Sequence, residues 1–160
     1  MTPVEAATAL LKTMPEPVSV AQLAEYGIDV PESGARRVAR EILSLNLYWM
    51  LAAIDAHIPQ KYRAAIRETL FDSIRKNWWE SGQLGEGTWE EYQKELEERR
   101  NEYSRLVDQE GMSHMAVSAE AASLIEDQGS VQSEDRQKLL VLLIDYAPAA
   151  QYGQLLDEVG

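Results

Sequence analysis

A chain of 160 residues that is 45% hydrophobic and 26% charged has the length and composition to bury a core of its own. Its formal net charge of −12 opposes any general affinity for nucleic acid or anionic membrane, because both carry the same sign. It contains no cysteine, which excludes disulfides, thiolate metal sites and cysteine nucleophiles together.

The opening MTPVEAATALLKTM lacks the basic start and continuous apolar stretch of a secretory signal. Residues 4–14 are good helix formers, ended by Pro15 and Pro17. Ser19 is placed to cap a short helix over residues 20–26, closed by Gly27. After a brief connector, a long helix runs from Pro31 or Glu32 to His57, with Pro59 ending it. From Leu43 to Ile54 this helix is apolar on nearly every side, which predicts a central helix wrapped by its neighbours. Arg40, Glu41, Asn46 and Asp55 interrupt it, so it falls short of the roughly 18–20 unbroken apolar residues that span a membrane.

Residues 60–79 carry a stripe of Tyr62, Ile66, Leu70, Ile74 and Trp78, widened by Ala65 and Phe71. A glycine-rich loop over residues 81–87 follows. Thr88 and Glu91 then form the T-x-x-E pattern of a capping box. Beyond it Trp89, Leu96 and Tyr103 recur at a seven-residue spacing, with Tyr92 and Leu106 on the same face and Arg99 where an apolar residue is expected. Gly111 either kinks or breaks this helix before the alanine-rich stretch 112–125. A single helix over residues 88–126 would be about 60 Å long and would overhang its neighbours. A polar linker over residues 127–133 leads to Ser133, placed to cap a helix over residues 134–146. Pro148 then bends or restarts the chain into a weaker amphipathic end over residues 151–159.

The expected fold is all-α: an up-and-down bundle of four main helices with two short N-terminal helices. It forms one domain over residues 1–160, with residues 1–30 as a cap on the bundle 31–160. Residues 61–76 carry five bases and two acids, while 86–110 carry nine acids and four bases. That contrast favours pairing these two helices as antiparallel neighbours.

Catalytic constellations are absent from the pattern. A di-metal bundle site needs Glu-x-x-His pairs, but Ile54 and Gly111 stand three residues before His57 and His114. Glu110 and His114 alone do not make a site. The glycines at 82, 85 and 87 match neither dinucleotide nor phosphate loops, and no serine nucleophile elbow occurs. Asp55 is expected to pair with Arg63 or Arg67. No enzyme activity, metal or cofactor is therefore expected.

The order of two short helices, a Gly27-Ile28-Asp29 turn and a third helix bearing Arg36, Arg37 and Arg40 resembles a helix-turn-helix DNA reader. VSVAQLAEYGID is similar to the first helix and turn of many such regulators. The resemblance implies a third helix in the major groove with those arginines on phosphates. Residues 1–40 nevertheless carry four bases against five acids, and the third helix continues into the most apolar part of the chain.

The leading expectation is a soluble, cytoplasmic, non-enzymatic interaction or scaffold module that binds a protein partner or forms a homo-oligomer, with nucleic acid disfavoured and no membrane. Trp79, Trp89, Tyr92 and Arg99 are its candidate contact residues, since aromatic and arginine side chains dominate binding hot spots. The alternatives are a DNA-binding regulator using residues 18–40 through Arg36, Arg37 and Arg40, and a helical bundle that binds a small molecule or lipid.

Overall fold

The computed structural model describes residues 2–111 and 113–159, which are helical with no strand among them. The helices are α1 (Pro3–Thr13), α2 (Val20–Glu25), α3 (Glu32–His57), α4 (Gln60–Ile74), α5 (Trp89–Ser104), α6 (His114–Asp127), α7 (Arg136–Asp145) and α8 (Ala149–Val159). Three of their starts are set by reciprocal capping boxes: Thr2 with Glu5, Ser19 with Gln22 and Thr88 with Glu91. Each box satisfies backbone N–H groups that a helix start leaves without partners.

α3 is the hub, as its apolar pattern predicts. Val38, Leu43, Leu45, Leu47, Met50 and Ile54 point in different directions around it, and all are fully buried. α4, α5, α6 and α8 pack on it, α2 touches it, α1 seals against α4 and α8, and α7 lies on α6. Buried residues from all eight helices join one contiguous apolar cluster.

Several expectations change. The opposite charges of α4 and α5 do not bring those helices together: α4 packs chiefly on α1, and α5 packs on α3. Arg67 pairs with Asp55, as anticipated, while Arg63 donates to the Asp55 and Ile58 carbonyls at 2.7 and 2.8 Å and so caps the end of α3. Exposed ion pairs are worth at most about 1 kcal/mol, too little to override apolar burial in choosing neighbours. The chain breaks at Gly111, whose φ of +64° suits a residue without a Cβ, so α5 and α6 are separate helices. Residue 112, which began the alanine-rich stretch, lies outside the described residues. Ser133 makes no side-chain cap; a short 3₁₀ turn, Ser133–Asp135, leads into α7 instead.

Tyr62 is 47% exposed under the Lys61 ammonium rather than part of the α4 stripe, while Ile66, Leu70 and Ile74 are buried. At its C-terminal end α4 widens into a π turn, Arg75–Trp79. A π turn inserts one residue into the helical phase. Trp79 therefore follows Ile74 toward the α5 side, where the sequence pattern expects Trp78. A second π turn, Arg105–Gln109, ends α5.

Within Ser133–Glu158 an 18-residue window reaches a mean hydropathy of 1.2, which matches a membrane-crossing helix by length and composition. The chain divides it at Ala147 and Pro148 into helices of 10 and 11 residues. Leu139, Leu142, Leu143, Tyr152 and Leu156 face the core from these two helices.

Asn46 fixes that division against α3. Its amide donates to the Ile42 carbonyl at 3.0 Å and the Tyr146 carbonyl at 2.8 Å, and its oxygen accepts from the Tyr152 hydroxyl at 2.7 Å. Asn46→Leu strands a buried hydroxyl and weakens the tether at Tyr146, so urea denaturation should show a loss of about 3 kcal/mol; a loss below about 1 kcal/mol would contradict this role. Tyrosine ionisation provides an independent check. The Tyr26 hydroxyl donates to Asp145 at 2.6 Å, and this bond pushes its pKa up to about 12. Burial pushes Tyr92, Tyr103 and Tyr152 up as well. These groups ionise later in the folded chain than in the unfolded one. Their contribution is therefore complete below pH 10 and is withdrawn as pH climbs through the folded values. The urea midpoint should fall between pH 10 and 12, and Tyr26→Phe should make that fall shallower.

Candidate functional site

Among the concave surfaces that flank α3, two stand out by their chemistry. The first begins where its N-terminal turns emerge from the core. Ser33, Arg36 and Arg37 are exposed there, and one turn on Arg40 and Glu41 point inward. Together with Leu84–Glu86 from the glycine loop, Glu95 of α5 and Gln128 after α6, they line a cleft of about 410 Å³.

The inner wall of this cleft is a fully paired charge network. Glu41 is 2% exposed and is gripped by Arg99, whose Nη2 donates to Oε1 at 2.8 Å and whose Nε lies 3.1 Å from Oε2. The Gln128 amide adds a third donor to Oε1 at 3.0 Å. The carboxylate holds the Arg99 guanidinium even more firmly protonated than usual. Arg40 donates to Glu95 Oε2 at 2.6 Å and to the Glu86 carbonyl at 2.9 Å. Its guanidinium lies 5.1 Å from the Trp79 ring centre and 5.2 Å from that of Tyr92, in reach of cation–π attraction to both. Tyr92 is buried, and its hydroxyl shares a 3.1 Å hydrogen bond with Ser44 of α3.

The two residue sets that the sequence kept apart thus meet. Trp79, Trp89 and Tyr92 form one aromatic cluster with ring centres 5.4–5.9 Å apart, and Arg40 closes over it. Trp89 is 7% exposed and Tyr92 is fully enclosed, so most of the cluster's surface is used in internal packing. Arg99 lies beneath it, on Glu41. Arg36 and Arg37 differ from Arg40 in having only long contacts: 3.8 Å to Glu32, and 3.4 Å to the Gln128 carbonyl. Sequence reasoning missed Glu41, Glu95, Gln128 and Ser33. One signal was available for Glu41, since an acid inside an all-apolar helix and an arginine on an apolar face each need a buried partner.

The second surface is an apolar groove of about 290 Å³ where α6 meets the break between α7 and α8. Met115 and Ile144 rise from its walls, 54% and 44% exposed, with half-buried Trp49, Ala147 and Pro148 between them. Val141, one turn before Ile144, extends the apolar face. The Trp49 ring packs on His114 at 4.3 Å between centres. Among the described residues, no three His, Asp or Glu side chains converge as a metal site.

Comparisons with protein-family models, curated proteins and solved structures return no match to this chain.

The Glu41–Arg99 pair is the part of the site whose energetics are clearest. Removing one member leaves the other desolvated without a partner, so Arg99→Met or Glu41→Leu alone should destabilise by about 3–5 kcal/mol in urea denaturation. The double replacement should recover most of that loss, because an apolar pair of similar volume restores a consistent interior. Additive losses in the double variant would show that the two groups do not act as a pair.

Proposed function

We propose that this chain is a non-enzymatic protein-interaction module that receives an amphipathic helix of a partner in the groove between α6 and the α7–α8 break. The observation that carries this reading is the exposure of Met115, Val141 and Ile144 beside a concave apolar floor. The other exposed large apolar side chains, Val4 and Tyr62, lie outside this groove, and the chain carries a net charge of −12. Exposed apolar side chains that are contiguous and concave, rather than scattered, mark surfaces that bury themselves on a partner. A groove between helices with a half-buried tryptophan in its floor has the form of helix-in-groove recognition, which uses apolar anchors spaced by one turn.

The aromatic cluster around Trp79, together with Arg40 and the Glu41–Arg99 pair, supports the same reading from inside. It holds α4, α5 and α3 in fixed relation, and a rigid scaffold loses little entropy when a partner docks. Arg40, one of the three arginines of the DNA-reading alternative, is committed to Glu95 and to the glycine loop, and α3 is enclosed for most of its length.

Ile144→Asp and Met115→Asp test the proposal, because both positions are exposed and tolerate charge without disturbing the core. Tagged protein from nuclease-treated host lysate should capture a defined partner. Either replacement should reduce that capture by about tenfold or more, the scale of a buried hot-spot contact, with helix content and melting unchanged. Sedimentation of the purified chain, with and without Ile144→Asp, identifies a second copy as the partner if self-association is what disappears. Undiminished capture by both variants would remove the groove from the interaction.

A further inference from the structure

We propose that the cleft at the start of α3 is a binding site for a small phosphate ester of a polyhydroxyl compound, with the phosphate on Arg36, Arg37 and Ser33. This inference is independent of the apolar groove. It rests on an asymmetry within the cleft. Every charge on its inner wall is already paired, Arg40 with Glu95 and Glu41 with Arg99. At the mouth, among the described residues, Arg36 has a carboxylate no nearer than 3.8 Å, in an exposed i,i+4 contact, and Arg37 has one side-chain hydrogen bond, a 3.4 Å one to a backbone carbonyl. Arg36, Arg37 and Ser33 all line the same open volume, and the few, long contacts of the two guanidinium groups leave most of their N–H donors uncommitted.

The geometry of the donors selects the anion. One guanidinium satisfies a planar carboxylate in a bidentate pair. Two guanidiniums and a hydroxyl offer more donors than a carboxylate accepts, and they suit the three outward oxygens and double charge of a phosphate ester. The remaining lining selects what the phosphate is attached to. The Glu86 and Glu95 carboxylates line the cleft beside the Gln128 side chain, offering mostly acceptors. A second anionic group there would meet like charge, whereas hydroxyl groups would donate to those oxygens. A cleft of about 410 Å³ lies in the size range of small-ligand pockets. The same acids make the site a poor seat for a nucleic acid, whose successive phosphates would run past Glu32, Glu86 and Glu95.

Isothermal titration with a hexose 6-phosphate, inorganic phosphate, the free hexose and a hexuronate distinguishes these elements. The expected order is binding of the hexose phosphate with a Kd below about 1 mM, inorganic phosphate weaker by about fivefold or more, and no measurable heat from the free hexose or the hexuronate. The double variant Arg36→Ala/Arg37→Ala alters exposed side chains and should keep the helix content and melting temperature. It should weaken hexose phosphate binding by about tenfold or more, in line with the loss of charge-assisted hydrogen bonds. Arg75→Ala/Lys76→Ala, a pair of exposed bases away from the cleft, should leave the affinity unchanged. The proposal is overturned if neither phosphate compound binds, or if the two double variants behave alike. Hexuronate binding equal to that of the hexose phosphate overturns the choice of phosphate. Inorganic phosphate binding as tightly as the ester overturns the polyhydroxyl half.

Discussion

α3 is enclosed by other helices along most of its length, so each polar side chain it carries must find its partner inside the protein or at one of its ends. That constraint organises the molecule. Glu41 recruits Arg99 from α5 and Gln128 from the end of α6. Ser44 meets the Tyr92 hydroxyl, and Asn46 holds the carbonyl and hydroxyl that bracket the α7–α8 break. These three residues lie within two turns of one helix, and among them they specify where α5, α6, α7 and α8 sit. Apolar burial supplies the driving force for collapse, but it is nearly indifferent to register. Directional hydrogen bonds in a dry interior penalise misplaced neighbours with unsatisfied groups.

How much of this was legible in the sequence follows from how local each determinant is. The N-cap at Ser19, the capping box at Thr88, the stop at Pro59 and the enclosure of α3 are written within a few residues or one helical period, and the structure reproduces them. The pairing of helices is not local. The charge contrast between residues 61–76 and 86–110 predicts a contact that is not a principal one, because weak solvated pairs yield to the apolar fit of α4 on α1. The π turn at Arg75–Trp79 is a one-residue change of phase, invisible to any reading that assumes a constant period, and it moves Trp79 into the aromatic cluster. At the candidate site, Arg36, Arg37, Arg40, Trp79, Tyr92 and Arg99 were each visible as unusual residues. Their convergence was not, because it depends on α5 packing against α3 across more than forty intervening residues.

The two concave surfaces have opposite chemistry and share α3 as their common support. One is polar, with its inner charges neutralised and two arginines at its mouth; the other is apolar and formed where a proline breaks a helix pair. Their separation allows a small ligand and a polypeptide to be accommodated on the same molecule without competing for the same residues. α3 and α6 both run between them, since α6 lines the groove at His114, Met115 and Ser118 and reaches the cleft at Gln128.

The outer wall of the polar cleft is attached differently from the rest of the fold. The loop between Glu80 and Thr88 is tied at its start by hydrogen bonds from Ser81 and Gly82 to the preceding turn; beyond these it contributes Leu84 to the core and receives one hydrogen bond from Arg40 at Glu86, and its three glycines give the intervening backbone wide conformational latitude. A segment held at so few points opens by local fluctuation, at a free energy well below that of global unfolding. The loop side of the cleft is thus less firmly tied to the fold than Arg36 and Arg37, which belong to the central helix. A molecule bridging helix and loop would draw its affinity in part from arresting that fluctuation. The entropy of the seven loop residues, 81–87, would then enter the recognition as directly as any contact.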